Sequence, residues 1–229
     1  MIRHMAFIMD GNRRWAEKRG MLRVLGHKEG MNTIQMVLRF CLKKEIRHVS
    51  LYAFSLENFK RSEHEKSYLF SMIEKQAESI LKECIQNKIK VCFVGDKTLF
   101  PKNVVPVFEK IESETRHYNN LRVNFLFCYG ARQEIVSGVK RIAKKIKSGQ
   151  LSENDITEEI FKQHLWTNGT PEPDLIVRTG GHKRLSNFLL YQAAYSEFSF
   201  LDCMWPELTE RDLQDVVVNY HNRKRKFGV

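Results

Sequence analysis

The chain has 229 residues, of which 42% are hydrophobic and 28% are charged, and this globular composition excludes a disordered or low-complexity protein. Its 38 Lys and Arg against 27 Asp and Glu give a net charge of +11, which predicts an anionic partner: a nucleic acid, a phospholipid surface or a phosphorylated small molecule. The longest apolar runs are too short to span a bilayer, and the first ends at Asp10 without a signal-peptide cleavage site.

Apolar and β-branched runs alternate with longer amphipathic ones. The predicted strands are Met5–Met9, His48–Phe54, Lys90–Val94, Arg122–Phe127, Asp174–Val177 and Phe198–Phe200. The predicted helices are Lys28–Lys44, Glu63–Gln86, Pro101–Tyr118, Gln133–Lys147, Thr157–His164, Asn187–Ala194 and Glu210–Arg225. This alternation, with no linker or composition break, predicts one α/β domain over residues 1–229, with a mostly parallel central sheet flanked by helices. Because ligands of such sheets bind beyond the carboxyl ends of the strands, the loops there are the candidate sites.

The loop after the first predicted strand combines a carboxylate, a glycine, an amide and two guanidiniums, in the order Asp10, Gly11, Asn12, Arg13, Arg14. A glycine, free N–H groups at a helix start and guanidiniums together are suited to bind a phosphate group. The carboxylate of Asp10 would repel phosphate, but it could bind a Mg²⁺ ion that bridges the protein to phosphate oxygens. The alternative is that Asp10 caps the next helix and that the arginines form a solvated basic face.

The loop after the second predicted strand, residues 52–61, places Ser, Glu, Asn and Arg between aromatic residues. Polar groups beside an apolar wall suit a substrate with a charged head and a hydrocarbon tail. Alternatively, Ser55 or Ser62 caps the next helix, and Glu65, three residues after Ser62, matches a capping box. Both interpretations can hold together.

The predicted helix Glu63–Gln86 carries a wide apolar stripe. Its apolar residues recur at spacings of three and four: Leu69, Met72, Ile73, Ala77, Ile80, Leu81, Cys84 and Ile85. This pattern is typical of a helix packed on a core. Part of the stripe, with Met36 and Phe70, could instead line an elongated apolar pocket, and periodicity does not distinguish the two.

The loop after the fifth predicted strand places Gly180 and Gly181 between Arg178 and Arg184, which predicts a second anion-binding loop. Glu197, just before the last strand, could supply a second carboxylate to a metal, although a lone Glu is most often a surface residue. Two such loops suggest two phosphorylated substrates that meet across a cation. The sequence contains no G-x-x-x-x-G-K-[ST], G-x-G-x-x-G, G-x-S-x-G or H-E-x-x-H motif and no Asp-Asp dipeptide.

The cysteines indicate a reducing compartment. There are five of them, Cys41, Cys84, Cys92, Cys128 and Cys203, and no two form a C-x-x-C pair. We therefore expect buried free thiols in a cytoplasmic protein, with a disulfide or zinc framework as the less favoured alternative.

Five stretches follow one another over nearly the whole chain: Met9–Ala16, Gly26–Gly30, Tyr52–Phe59, Val177–Gly181 with Arg184–Phe188, and Tyr195–Glu197. In this order they resemble the motifs of the cis-prenyltransferase family, most closely those of its bacterial undecaprenyl diphosphate synthases. The resemblance implies a Mg²⁺-dependent condensation of isopentenyl diphosphate with an allylic diphosphate, typically farnesyl diphosphate, that forms a new cis double bond. The expected product is a long-chain polyprenyl diphosphate, undecaprenyl diphosphate, which is the lipid carrier precursor for peptidoglycan synthesis.

The resemblance also implies roles for individual residues. Asp10 would be the central catalytic residue and hold Mg²⁺, with Glu197 completing the metal site. Asn58 matches the position of the proton acceptor, but asparagine is a poor base, so we expect it to position substrate. The allylic diphosphate would be bound by Gly11, Asn12, Arg13, Arg14, Arg23 and His27, with Trp15 beside it. Further substrate contacts are implied for Ser55, Leu56, Glu57, Phe59 and Arg61, and isopentenyl diphosphate contacts for Arg178, Arg184, Leu185 and Ser186.

The family resemblance further implies an apolar tunnel between the sheet and its helices, and it favours this role for the stripe of Glu63–Gln86. It implies a homodimer, with transient contact at the inner membrane face for product release. Lys226 stands where the family has an arginine that is thought to reach the neighbouring subunit, and lysine cannot bond bidentately there.

Two rival interpretations are weaker. A nucleic-acid-binding protein is suggested by the sequence pI of about 9.5 and by the basic run Arg223–Lys226. The basic residues lie mainly in strand-end loops with glycines, however, which favours a small ligand and no nucleic acid. A non-catalytic accessory subunit is disfavoured because Asp10, Asn58, Arg178 and Glu197 are all present.

Overall fold

The computed structural model describes residues 1–223 and contains one six-stranded sheet in which every neighbouring pair of strands is parallel. The strands are β1 His4–Ile8, β2 His48–Ser55, β3 Ile89–Val94, β4 Leu121–Tyr129, β5 Leu175–Arg178 and β6 Glu197–Phe200. Their spatial order is β3-β4-β2-β1-β5-β6. The predicted parallel α/β architecture is confirmed, and each of the six predicted strands is present.

Helices connect the strands. They are α1 Asn12–Glu17, α2 Arg23–Lys43, α3 Glu63–Gln86, α4 Val105–Thr115, α5 Ala131–Lys147, α6 Glu158–Gln163 and α7 Glu210–Asn222. A 3₁₀ turn, Leu56–Lys60, follows β2. The predicted helix Glu210–Arg225 is confirmed as α7 up to Asn222, but Arg223 is extended. The last two predicted positions, and Lys226, lie outside the described residues.

The prediction of a helix over Asn187–Ala194 is wrong, because this segment is a series of turns. Ser186, Asn187 and Leu189 have φ values of 52°, 63° and 44°, in the left-handed region that an α-helix cannot use. The side-chain amide of Asn187 also bonds to residues of other segments. Such bonds compete with helix formation, and no apolar periodicity reveals them.

Both faces of the sheet are buried, which explains why its strands are apolar along their length. Along β1, Met5 and Phe7 belong to the core beneath α2, α3, α4 and α7, whereas Ala6 and Ile8 belong to a second core. The second core is completed by the start of α5 and by the turn segment, with Phe188 fully buried. The alternation has the period of two that is expected for a strand.

In the part of the chain that the structure describes, no helix is both long and apolar enough to cross a membrane. The five cysteines are free thiols, and Cys41, Cys84 and Cys128 are buried. Burial raises the pKa of Cys84 and of Cys128 to about 12. These thiols are therefore protonated at neutral pH and are unsuited to act as nucleophiles.

Candidate active site

The candidate site lies at the carboxyl ends of three adjacent strands. Asp10 follows β1, Ser55 ends β2 and Arg178 ends β5, and β1 lies between the other two in the sheet. The loops therefore meet around one cleft of about 710 Å³. The predicted site residues that line it are Asp10, Asn12, His27, Ser55, Glu57, Asn58, Arg61, Arg178, Arg184, Leu185 and Ser186.

The Asp10 carboxylate is held between two guanidiniums. Its Oδ2 accepts a hydrogen bond from Arg178 Nη2 at 2.8 Å, and its Oδ1 accepts one from Arg14 Nη2 at 3.2 Å. Burial by itself would raise the pKa of Asp10, but the hydrogen bonds and charges of Arg178 and Arg14 outweigh it and lower that pKa. The carboxylate is therefore ionised at neutral pH and is 27% exposed towards the cleft.

The α1 helix is not capped by Asp10. The capping residue is Gly11, with φ 109°, and it offers no side chain to the helix. The carbonyl of Asp10 accepts hydrogen bonds from Thr179 Oγ1 at 2.7 Å and from Trp205 N at 3.0 Å. The alternative interpretation of Asp10 as a helix cap is thus wrong, and the residue instead links the β1 loop to the β5 loop.

Gly180 allows these two loops to approach closely. Its φ is 84°, and a Cβ there would lie 2.5 Å from Arg14 Nη2 and 3.2 Å from the Asp10 carbonyl oxygen. A side chain would therefore separate the loops and strain the backbone. The glycine pair, which suggested an anion-binding loop, also serves loop packing.

Besides the cleft, a basin of about 390 Å³ opens next to Asp10. The predicted allylic-diphosphate residues that line it are Gly11, Asn12, Arg13, Arg14, Arg23 and His27, and Arg61 joins them. Burial first, and then the charge of Arg61, lowers the pKa of His27 to about 4. His27 is therefore neutral at pH 7, and the positive charge of this basin comes from its arginines.

Glu65 is a site residue that the sequence analysis missed. This buried carboxylate lies 3.1 Å from Arg61 Nη1, 3.5 Å from His27 Nε2 and 3.9 Å from Arg13 Nε. The sequence suggested only a capping role, and Glu65 N does donate to Ser62 Oγ at 3.3 Å. The spacing of four between Arg61 and Glu65 was the available signal, because it is typical of a paired carboxylate and guanidinium.

Asn58 is tied to the backbone at the start of the 3₁₀ turn. Its Oδ1 accepts a hydrogen bond from Ser55 N at 3.1 Å, and the Ser55 side chain accepts in return from the backbone of Asn58. Ser55 thus caps the 3₁₀ turn, whereas Ser62 caps the helix α3, so the predicted helix cap is confirmed for Ser62 and not for Ser55. The amide oxygen of Asn58 therefore holds the start of the turn, and a neutral amide is too weak a base to accept a proton.

Arg178 connects the loop after β1 with the loop after β5, which both line the cleft. Its Nη1 donates to Ser186 Oγ at 2.8 Å and to the carbonyl of Arg184, while its Nη2 holds Asp10. The side chain is only 4% exposed. A buried guanidinium with fixed acceptors is oriented before any ligand arrives, which is the arrangement that favours electrostatic stabilisation.

Four predicted site residues do not line the cleft or the basin. Trp15 is half-buried with the Arg19 guanidinium 4.4 Å from its ring centre, while Leu56 and Phe59 pack against the core beneath α3. Glu197 is the fourth, and the structure does not bring it to Asp10 within one chain. It begins β6 opposite Leu175, at the other end of β5 from Arg178, and it pairs with Arg223.

The predicted metal site of Asp10 and Glu197 is therefore not formed by one chain. The physical reason is strand register. Residues that pair in a parallel sheet lie at the same level along their strands, and Glu197 pairs with the first residue of β5, whereas Asp10 follows the end of β1. Among residues 1–223, no group of three or more His, Cys, Asp or Glu is arranged to hold a metal ion.

An apolar cavity of about 110 Å³ lies between the sheet and α2, α3 and α4. It shares Met9, Asn12, His27 and Ala53 with the cleft. Its apolar wall consists of Met31, Ile34, Phe54, Leu69, Met72, Ile73, Ile80, Phe93, Phe108, Ile111, Phe125, Phe127 and Trp205. Part of the α3 stripe thus lines a pocket, as one interpretation expected, but Phe70 instead packs against Phe54 and Phe127.

The comparisons agree with this geometry. A family model described as "Putative undecaprenyl diphosphate synthase" matches residues 8–228. The chain belongs to this family. It is a prenyl transferase, and its cis-prenyltransferase resemblance is confirmed. Among curated relatives, the chain is 41% identical to an isoprenyl transferase of Clostridium perfringens, over all of this chain and 90% of that protein. It is 42% identical to an isoprenyl transferase of Geobacillus kaustophilus, over all of this chain and 89% of that protein.

Solved structures are also similar to it, and two of them serve as examples. One is lavandulyl diphosphate synthase from Lavandula x intermedia in complex with dimethylallyl diphosphate, with a TM-score of 0.96 and 34% identity, covering 100% of this chain and 98% of that one. The other is a probable undecaprenyl diphosphate synthase from Campylobacter jejuni, with a TM-score of 0.83 and 31% identity, covering 100% and 99%.

Proposed function

We propose that this prenyl transferase condenses isopentenyl diphosphate with farnesyl diphosphate in a Mg²⁺-dependent reaction. The product is a cis-polyprenyl diphosphate, undecaprenyl diphosphate, which serves as the lipid carrier precursor for peptidoglycan. The observation that carries the proposal is the position of Asp10. It lies between an arginine-lined basin on one side and Arg178 with Ser186 on the other, and next to an apolar cavity.

The residues of this chain fit a Mg²⁺ ion that arrives with substrate. Mg²⁺ is commonly bound by one or two carboxylates together with substrate phosphates and water, and Asp10 supplies one ionised carboxylate beside the basin. When bound, the ion would neutralise charge that develops on the leaving diphosphate. Glu197 of the same chain is too far along the sheet to share it.

The protein side chains would do the rest of the chemistry by binding and orientation. Arg13, Arg14 and Arg23 would bind the allylic diphosphate in the basin and stabilise its charge as the carbon–oxygen bond breaks. Arg178 and Ser186 would hold isopentenyl diphosphate, so that its C4 attacks the allylic carbon. The C2 proton would pass to an oxygen of the released diphosphate, because the neutral amide of Asn58 is too weak a base to take it.

The hydrocarbon tail would enter the apolar cavity, and the volume of the cavity limits the length of tail that fits. An engineered cavity of about 150 Å³ holds one benzene molecule, which has six carbons, so the 110 Å³ present here accommodates at most about one five-carbon isoprene unit. A long product therefore requires the wall formed by α3 to move. The burial of each further unit would contribute about 3–4 kcal/mol.

A second candidate is a short-chain prenyl diphosphate product. The small cavity favours it, and so does the similarity to lavandulyl diphosphate synthase, whose complex contains dimethylallyl diphosphate. The two candidates differ in the length of the product and in the allylic primer. Chromatography of the products from radiolabelled isopentenyl diphosphate, with farnesyl or dimethylallyl diphosphate as primer, distinguishes them.

We propose a homodimer in the cytoplasm, with transient contact at the inner membrane face for product release and no nucleic acid partner. Light scattering coupled to size-exclusion chromatography tests the dimer, and co-sedimentation with anionic vesicles tests the membrane contact. The central experiment is incorporation of labelled isopentenyl diphosphate with and without EDTA. Incorporation with Mg²⁺ and its loss in EDTA support the proposed reaction, whereas no incorporation with any allylic primer contradicts it.

A further inference from the structure

The segment that carries Arg184 and Ser186 has an unusual backbone. Within four residues, Ser186, Asn187 and Leu189 all have positive φ. A non-glycine residue in the left-handed region costs free energy and persists only where the surrounding structure imposes it. The contacts that hold this segment therefore determine where Arg184 and Ser186 lie in the cleft.

Asn187 makes most of the polar contacts to other parts of the chain. Its Nδ2 donates to Glu57 Oε1 at 2.9 Å and to Gln133 Oε1 at 3.0 Å, and its Oδ1 accepts from Arg132 N at 2.9 Å. Its backbone carbonyl accepts from Ala131 N at 2.9 Å. Both amide hydrogens and the amide oxygen are thus used, so the side chain has one defined orientation.

These partners belong to two different elements of the cleft. Glu57 lies in the 3₁₀ turn after β2, next to Asn58, while Arg132 and Gln133 lie in the first turn of α5. Glu57, Arg132 and Gln133 all line the cleft, as Asn187 itself does. Asn187 is therefore a cross-link between the loops that follow β2, β4 and β5.

A second set of contacts fixes the segment on its buried side. Phe188 stacks on Tyr52 with ring centres 4.7 Å apart. Gln192 Nε2 donates to the fully buried Glu134 at 2.9 Å and to Thr167 Oγ1 at 2.7 Å. These contacts hold the segment against the core, but they do not reach the loop after β2 that carries Glu57 and Asn58.

We propose that Asn187 is a positioning residue that sets the register between the isopentenyl diphosphate loop, with Arg184 and Ser186, and the loop after β2, with Glu57 and Asn58. It acts through its neighbours and does not touch the reacting atoms. The assignment of isopentenyl diphosphate to this loop rests on the proposed function, whereas the cross-link itself rests on the geometry alone.

The test is Asn187→Gly, which removes the amide but keeps a residue that adopts positive φ without strain. The control is Asn120→Gly, since Asn120 precedes β4 at the opposite end of the sheet. We expect the KM for isopentenyl diphosphate to rise about 10-fold, with the KM for the allylic substrate changed less than about twofold and the thermal midpoint close to that of wild type. An unchanged KM for isopentenyl diphosphate overturns the proposal, and so does a uniform loss of all parameters with a lowered thermal midpoint.

An exchange of donor and acceptor gives a sharper test. Asn187→Asp keeps an acceptor for Arg132 N but places a carboxylate against Glu57, so we expect a larger rise in KM than for Asn187→Gly. Combining N187D with E57Q returns an N–H donor to the pair, with the roles reversed, and should recover part of the loss relative to N187D alone. The proposal is contradicted if the double variant raises KM by as much as the product of the rises caused by the two single substitutions.

Calorimetric titration with inorganic diphosphate separates this proposal from the proposed function when it is made in an Arg13→Ala, Arg23→Ala background, which weakens diphosphate binding in the basin. We expect Asn187→Gly to bind diphosphate at this loop about 10-fold more weakly than wild type, whichever prenyl substrate the enzyme uses. Equal binding overturns the positioning role. A wild-type protein that binds diphosphate but incorporates no isopentenyl diphosphate contradicts the proposed function alone.

Discussion

Substitution of Arg178 tests the centre of the proposed site. Its guanidinium bonds simultaneously to Asp10 Oδ2, Ser186 Oγ and the Arg184 carbonyl, and its side chain is 4% exposed. Arg178→Ala removes all of these bonds. Arg178→Lys keeps the charge, but a single ammonium group cannot reproduce the planar fork that spans Asp10 and Ser186.

The size of the effect follows from what remains around Asp10. Removing one partner of a fully buried ion pair costs about 3–5 kcal/mol, but Asp10 is 27% exposed and keeps Arg14 at 3.2 Å. We therefore use the smaller figure of about 1.5–3 kcal/mol for a hydrogen bond to a charged group. At about 1.4 kcal/mol for each tenfold change, kcat/KM for isopentenyl diphosphate should fall about 10- to 100-fold.

The assay is initial-rate incorporation of labelled isopentenyl diphosphate by Arg178→Ala and Arg178→Lys, with a thermal melt of each variant. Arg39→Lys is the matched control, since the Arg39 side chain is 65% exposed and pairs with Glu83 on the surface of α3. We expect Arg178→Lys to recover only part of the activity, mainly through kcat. A kcat/KM for isopentenyl diphosphate that stays at the wild-type value in Arg178→Ala would refute the reasoning.

Three further predictions follow from the same geometry. Asp10→Asn should abolish condensation while keeping the thermal midpoint within a few degrees, and near-normal incorporation by this variant would contradict the role of the carboxylate in metal binding. The pKa of His4 and that of His27 are each lowered to about 4, mainly by burial, so between pH 6.5 and 4 the unfolded chain binds more protons than the folded one. Stability should therefore be retained above pH 6.5 and fall as the pH drops towards 4, by on the order of 3 kcal/mol for each histidine. Denaturant midpoints at pH 7 and 5 check this. A wild-type midpoint that does not fall between these pH values counts against it, and so does a fall in the His4→Gln and His27→Gln variants that is as large as in wild type. Phe108→Ala opens the cavity wall where the rings of Phe108 and Phe93 stack with their centres 3.6 Å apart. It should lower the free energy of unfolding by about 3–5 kcal/mol and lengthen the products seen by chromatography. An unchanged product length would show that this wall does not limit the product.

The fold was accessible from sequence because local patterns encode it. Buried parallel strands read as short apolar runs, and helices such as α3 show spacings of three and four. The segment after β5 was predicted incorrectly, because residues 187–194 contain helix-compatible apolar residues. What decides its conformation is the bonding of Asn187 to Glu57 and to the first turn of α5, which lie far away in the chain.

The candidate site was predictable to the level of its loops. The rule that ligands bind at the carboxyl ends of parallel strands identified the loops of Asp10, Ser55 and Arg178, and the sheet order β2-β1-β5 brings them together. Glu65 was missed as a site residue because its local capping role explained it. The distance of Glu197 from Asp10 within one chain could not be predicted, because a motif match carries no information about strand register.

By itself, the sequence determined the strands, most of the helices, the family and the polar residues offered at each strand end, since all of these depend on residue types and local spacing. Only the tertiary structure decided that Asp10 pairs with Arg178, that Glu65 lies beside His27, and that Glu197 lies at the opposite end of β5 from Arg178. The reason is that such pairings depend on the height and direction of side chains from distant segments. Strand register and close loop packing set these, and no short stretch of sequence encodes them.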